Sequence, residues 1–446
     1  MKNSIKFNFQ QENYVFFYKN DIKLIFKYLN LYSKNETMTE KTIYEIGEIP
    51  PLGFVPDKMY AWVIRENRLG VPEDAMLMEQ MPVQKPGKDE VLVMVMAVGI
   101  NYNNVWASQG IPISVIGKDT GYHIGGSDAS GIVWAVGENV KRWKVGDEVI
   151  IHCNRDDGDD EECNGGEPMY SKSQKIWGYE TNDGSFAQFT TVQSRQLLKK
   201  PDHLSWEESG CYTLTLATAY RMLFGHPPHA IKPGMNVLIW GASGGIGSMA
   251  VQICKAVGAR AIGVISDDEK IPFVENLGAV GVLNRKNYQC FGKLPDVKNQ
   301  KEYSDFIKKC RVLGKDIWNI TGKKDVDIVF EHPGESTFPV SCYLVKTGGM
   351  VVICAGTSGY NLTMDARYIW MRQKRIQGSH FANLYQANEA NNMMINKLID
   401  PLMSECFLWT EIPSAHTKMM ENKHLPGNMA ALVQAQKTGM KTFGEI

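Results

Sequence analysis

The amino-acid sequence predicts an α/β protein: a mostly β domain first, then a doubly wound parallel sheet. Three observations predict it. Short β-rich runs broken by glycine turns fill residues 58 to about 192. A glycine-rich turn at 241–247 stands between an apolar run and a helical run. Beyond it, short apolar runs alternate with helical or polar segments to about residue 380. At 446 residues the chain can bury a large core, and two domains are expected.

Residues 1–37 stand apart. They are rich in Lys, Asn, Phe and Tyr and contain neither Gly nor Pro. Lys19, Asp21, Lys23 and Lys27 interrupt the apolar patches, so the clean apolar core of a signal peptide is missing. The stretch reads as a frayed arm or an unused upstream start. Residues 59–64 and 90–98 then read as strands, followed by GINYNNVW at 99–106. Glycine turns and short strands continue through 126–133 and 143–149. The acidic, glycine-rich segment 154–168 reads as a surface loop, and 186–192 as a further strand. Residues 214–223 read as a helix leading into the second domain.

The stretch 236–250, NVLIWGASGGIGSMA, organises that domain. Val237-Leu238-Ile239-Trp240 reads as a buried parallel strand. Gly241, Gly244, Gly245 and Gly247 form the turn, and a helix opens near Met249 and runs to Gly258. The first N–H groups of a helix have no internal partner, and glycines let a pyrophosphate approach the backbone. The spacing is not G-x-G-x-x-G, but the strand before and the helix after are what a dinucleotide site requires. Gly241, Ser243, Gly244, Gly245, Ile246 and Gly247 are the candidate contacts. Residues 261–265, 279–283, 326–330 and 350–355 read as further buried strands, and a strand-like run at 375–380 ends the sheet. The domain limits expected are 38–212 and 213–374, with 375–446 returning to the first domain.

A formal net charge of −1 gives no reason to expect a nucleic-acid or membrane-surface partner. The nine cysteines are scattered and include no C-x-x-C pair, so a disulfide framework is not expected and a cytoplasmic location is favoured.

Gly131-x-Val133, Val136-Gly137 and Gly146-Asp147-x-Val149, followed by GASGGIG, resemble the medium-chain dehydrogenase/reductase superfamily. Five stretches are similar to its crotonyl-CoA carboxylase/reductase family: NYNNVW at 101–106, WGYET at 177–181, IWGASGG at 239–245, FEHPG at 330–334 and GSHFAN at 378–383. The resemblance runs from about Met38 to the C-terminus. It implies a GroES-like catalytic domain, a Rossmann-type nucleotide domain, NADPH as cofactor and a homo-oligomer, often a tetramer. The implied reaction is reductive carboxylation of an enoyl-CoA by CO2, crotonyl-CoA giving ethylmalonyl-CoA.

Zinc-dependent members of the superfamily carry a His in a G-H-E motif and several cysteines. Here that place reads Gly126-Ser127-Asp128, and apart from Cys211 at its end the β domain offers only Cys153 and Cys163. Three or four N/S ligands cannot be assembled, so no metal is expected. The hydride should then go to an activated alkene or carbonyl. For the cofactor, Asp267 and Asp268 suit a ribose 2′-hydroxyl, whereas Ser266, Lys270 and Arg285 suit a 2′-phosphate. Spacing leaves both open, and the resemblance implies NADPH.

Hydride addition at Cβ of an enoyl thioester leaves an enolate with a nucleophilic Cα. For CO2 to arrive before a proton, the site must exclude proton donors and hold CO2 with neutral hydrogen-bond donors. The amide of Asn103 and the imidazole of His380 suit that task, with Glu180 as an acceptor to fix the imidazole tautomer. By resemblance, Asn103, Tyr179, Glu180 and His380 match the family's CO2 pocket, with Tyr179 where some members have Phe. From the residues alone, Asn103 reads as a turn residue and His380 as a core histidine; the motifs reverse that preference. Arg367, Arg372, Lys374 and Arg375 form a basic cluster for coenzyme A phosphates, and the resemblance favours Arg367. His332, in FEHPG, is expected near the nicotinamide. Two other readings stay open: a zinc-free enoyl-CoA or quinone reductase without carboxylation, and a nucleotide-binding protein without catalysis.

Overall fold

The computed structural model describes residues 40–445, and the expected N-terminal arm lies outside them. One folded unit spans Thr42–Ile446. Its first part holds strands β1 (Lys58–Ile64), β2 (Met76–Pro82), β3 (Glu90–Ile100), β4 (His123–Ile124), β5 (Ala129–Val136), β6 (Glu148–Ile151), β7 (Asn154–Arg155), β8 (Lys175–Ile176), β9 (Phe189–Gln193) and β10 (Leu197–Lys199). The central strand is β3. All of its residues but Glu90 are buried, which is why EVLVMVMAVGI shows no polar alternation. It pairs antiparallel with β5 and with β9. Between β3 and β4, Asn101 to Gln109 forms no turn between strands: Asn101 caps a helix, Tyr102–Gln109.

The second part holds β11 (Asn236–Trp240), β12 (Arg260–Ile265), β13 (Gly281–Asn284), β14 (Val326–Glu331), β15 (Val345–Ile353) and β16 (Arg375–Gly378). They form one sheet in the order β13-β12-β11-β14-β15-β16, parallel throughout. The helix after β11 spans Gly245–Val257, four residues earlier than its expected start, and Gly258 ends it in the left-handed region. A longer helix, Gln300–Thr321, connects β13 to β14. The strand order reverses between β11 and β14. Ligands of open α/β sheets bind at that switch point, beyond the carboxyl ends of the strands.

The limit expected at residue 374 is corrected. Arg375 opens β16, the edge strand of the parallel sheet. The next helix, Leu384–Ile395, also packs on this part: Ala387, Ala390 and Met394 share a core with Val251 and Ile253. The return begins only with β17 (Met403–Phe407) and β18 (Asn428–Leu432). β18 pairs antiparallel with β3, so the last strands complete the first sheet.

Candidate active site

β11 ends at Trp240, and Gly241 turns the chain at φ 57°. A Cβ there would lie 2.6 Å from Nε2 of His332, and one at Gly247 would lie 2.3 Å from the Gly241 carbonyl oxygen. Neither place admits a side chain, so the turn presents bare backbone. Gly244 caps the helix Gly245–Val257. His332 directly follows β14, and its Nε2–H donates to the Trp240 carbonyl at 3.0 Å. Burial pulls its imidazole down to about 4, so it is neutral at pH 7. The C-terminal return closes the turn's flank. Gly427 N–H donates to the Ser243 carbonyl at 2.9 Å, and Gly244 and Gly427 form a parallel bridge.

The pairing of Ile265 with Asn284 sets Ser266 and Arg285 at adjacent strand ends. Lys270 ends the short turn Asp268–Lys270 that follows β12. The Arg285 guanidinium lies 4.9 Å over the Phe291 ring. The two competing acids are engaged locally: Asp267 accepts from Glu269 N at 3.3 Å, and Asp268 accepts from Asn284 Nδ2 at 2.8 Å. The bare glycine turn and this basic corner fit a dinucleotide that carries an extra phosphate.

Facing the glycine turn is a cavity of about 250 Å³. Gly244, Gly245, Ile246 and His332 line one side, and Asn103 and Trp106 line another. Asn103 is buried. Its Nδ2 donates to Ser127 Oγ at 2.9 Å, and its Oδ1 accepts from Asn104 Nδ2 at 3.0 Å. Asn104 Oδ1 in turn accepts from Gly126 N at 2.8 Å. Next to Ser127, Asp128 accepts from Asn101 Nδ2 at 3.1 Å and from Leu214 N at 2.8 Å. Burial outweighs those bonds and lifts its carboxyl to about 8. Sequence reasoning gave no role to Asn101, which lines the cavity, or to Asn104, Ser127 and Asp128, which bond to Asn103 or Asn101. The first two stood inside a quoted motif, and the last two were read only as the loss of a zinc motif.

His380 does not line the cavity; its neighbour Phe381 does, with its backbone in the left-handed region at φ 40°. The two rings pack edge to face at 4.8 Å. Part of His380 is exposed, yet enough protein surrounds the ring that lost hydration holds its pKa below the usual value. The Glu180 charge opposes that shift and the Arg221 charge adds to it. Glu180 makes no hydrogen bond to His380 among the described residues. Its Oε2 accepts from Ile176 N at 2.8 Å, so the expected tautomer-fixing bond is replaced by one within its own loop. Tyr179 is half-buried, and burial beside Tyr360 and Glu180 pushes its phenol up to about 12.

The expected basic cluster divides. Arg367 Nε lies 2.9 and 3.0 Å from the two carboxylate oxygens of Asp365, and its guanidinium lies 5.7 Å over the Tyr303 ring. That pairing leaves less of it for a phosphate. Arg375 donates to the Pro227 carbonyl at 2.8 Å. Arg372 and Lys374 instead line a separate cleft of about 820 Å³ with Arg311, Lys315 and Lys346. This larger cleft shares no lining residue with the cavity at the glycine turn.

Two family models match in succession: an alcohol dehydrogenase GroES-like domain over residues 87–202, then a zinc-binding dehydrogenase over residues 245–398. A crotonyl-CoA carboxylase/reductase of Cereibacter sphaeroides is 64% identical over 409 residues, 91% of this chain and 95% of that protein. The chain belongs to the crotonyl-CoA carboxylase/reductase family. A solved crotonyl-CoA carboxylase/reductase superposes with a TM-score of 0.88 at 64% identity, covering 90% of this chain and 94% of that one. A second, AntE in complex with NADP, superposes with a TM-score of 0.86 at 45% identity, covering 89% and 100%. The expected architecture, a GroES-like domain with a Rossmann-type parallel sheet, is the one this family has. The second family model is named for zinc, but among the described residues no group of three His, Cys, Asp or Glu side chains could hold a metal ion. This donor set does not fit zinc, and no step here runs through a metal.

Proposed function

We propose that the chain catalyses reductive carboxylation of an enoyl-CoA, taking crotonyl-CoA, CO2 and NADPH to ethylmalonyl-CoA. The observation that carries this reading is the shared cavity, which a buried neutral amide, Asn103, lines together with Gly244 and Gly245 of the glycine turn. Gly241, Ser243, Gly244, Gly245, Ile246 and Gly247 would hold the pyrophosphate, and Ser266, Lys270 and Arg285 the 2′-phosphate. When bound, NADPH supplies the hydride to the substrate's β-carbon. The alkene electron pair then moves onto the thioester as an enolate. Its α-carbon attacks the carbon of CO2, a C–C bond forms, and one C=O pair moves onto oxygen to give the carboxylate. No proton is needed.

The chain's part is to keep protons away and hold CO2. Of the four titratable groups on the cavity wall, His332 spends its N–H on Trp240 and burial pushes the Cys354 thiol up to about 12; Tyr102 and His424 are the other two. A neutral amide donates to a CO2 oxygen without delivering a proton. His380, held below its ordinary pKa, lies outside the cavity beside Phe381 and would have to turn inward to act as the second neutral donor, with Tyr179 and Glu180 shaping its surroundings. Arg367, exposed beside Asp365, would take a phosphate of coenzyme A, since Lys346 is paired with Asp327 and Lys374 is buried against the Cys342 and Tyr343 carbonyls. A homo-oligomer, in particular a tetramer, and a cytoplasmic location complete the reading. No helix among the described residues is long and apolar enough to cross a membrane. The test is NADPH oxidation with crotonyl-CoA, with and without bicarbonate, and mass analysis of the product. Ethylmalonyl-CoA is expected; butyryl-CoA alone at saturating CO2 would make this a plain reductase.

A further inference from the structure

We propose that Ser127 and Asn104 are positioning residues that fix which way the Asn103 amide points, and so set how the enolate divides between CO2 and a proton. This rests on the reading above, in which Asn103 holds CO2. An asparagine amide offers acceptors on one atom and donors on the other, and turning it over exchanges them. A turned Asn103 would present a carbonyl oxygen where a donor is needed.

The polarity is dictated by a backbone group. The Gly126 N–H can only donate, so the atom of Asn104 that faces it at 2.8 Å must be the carbonyl oxygen. The other end of Asn104 is then its NH2, which donates to Asn103 at 3.0 Å. The atom of Asn103 that receives it must be the oxygen, so its NH2 faces Ser127 Oγ at 2.9 Å. Two adjacent residues on one segment thus lock two adjacent residues on another through three bonds in series. Asn104 and Ser127 are fully buried, so water does not compete for these bonds. The loop is shaped to admit the second amide: a Cβ on Gly125 would lie 2.5 Å from Asn104 Oδ1. One Nδ2 hydrogen of Asn103 goes to Ser127. The other remains for a ligand in the cavity that Asn103 lines.

The test uses the full chain with Ser127→Ala, Ser127→Thr, Asn104→Asp and Asn103→Leu. Three quantities are read at each: the ratio of ethylmalonyl-CoA to butyryl-CoA, KM for CO2, and the rate of NADPH oxidation. Ser127→Ala is expected to lower the ratio about fivefold and to raise KM for CO2, with a smaller change in hydride transfer. Asn104→Asp, read at a pH where the buried carboxyl is ionised, should do at least as much, because a carboxylate accepts from Gly126 but cannot donate to Asn103. Ser127→Thr keeps the hydroxyl and should restore the ratio, which a merely structural role would not require. Thermal melts of all four identify any loss of fold, and the ratio is then read from the variants that melt normally. An unchanged ratio in Ser127→Ala and Asn104→Asp, with a shifted one in Asn103→Leu, overturns the proposal and leaves the proposed reaction standing. A wild-type product of butyryl-CoA alone overturns both.

Discussion

The two walls of the small cavity are made in opposite ways. The nucleotide wall is largely the backbone of Gly244 and Gly245, edged by Ile246 and His332. Its turn comes from one contiguous stretch, kept tight because Gly241 and Gly247 have no side chains. The opposite wall is side chain. It draws Asn103 from one segment, orients it with Ser127 from another, and places Phe381 from a third. The first wall therefore has almost no permitted substitutions. The second can be altered one hydrogen bond at a time while the fold survives, so its chemistry can be tuned separately.

The harshest challenge to that contrast is Gly247→Val. Its first added carbon would meet a backbone oxygen at 2.3 Å, which no rotamer relieves. A cost of about 1–3 kcal/mol in stability and the loss of NADPH binding are expected, read by thermal melting and by NADPH titration. Retained NADPH affinity would mean that the bare backbone is not the nucleotide wall. A milder change concerns Asp128, which props the side-chain wall through Asn101 and Leu214. Its folded pKa of about 8 lies well above the ordinary aspartate value, so the fold favours the neutral form. That contribution is complete below pH 4 and is lost as pH rises through about 8. Asp128→Asn should therefore narrow the drop in melting temperature between pH 6.5 and pH 9, by about 2 °C. Comparing the two proteins separates this effect from Glu331 and Lys374, which titrate near 7 and 8. An equal drop in both would show that Asp128 is already ionised in the fold. The smallest effect belongs to Tyr179→Phe. Its phenol stays protonated to about 12, so removing the hydroxyl takes away a potential proton donor. The carboxylated share of product is expected to rise by no more than about twofold, since such near-isosteric changes are mild. A fall in that share would assign the hydroxyl a useful contact.

The same contrast explains what could be read without coordinates. Residues 236–250 were legible because strand, turn and helix follow one another, and each leaves its own periodicity. β3 was legible because burial on both faces writes an unbroken apolar run. The limit drawn at 374 failed because ownership of residues 375–378 depends on pairing with β15, which no local pattern records. Helix Tyr102–Gln109 was hidden because NYNNVWASQ has three asparagines and little apolar spacing. The bond from Asn103 to Ser127 spans 24 positions, so the orienting role of that serine could not be seen. The pairing of Arg367 with Asp365, only two residues away, is a local feature that the sequence reading left out.

One contact also has a bearing on how the protein is made. Gly427 closes the flank of the glycine turn, and β18 completes the first sheet by pairing with β3. Both lie C-terminal to the parallel sheet. A nascent chain that has already synthesised its entire parallel sheet still lacks one flank of the cofactor pocket, which closes only when these later residues reach the much earlier β3.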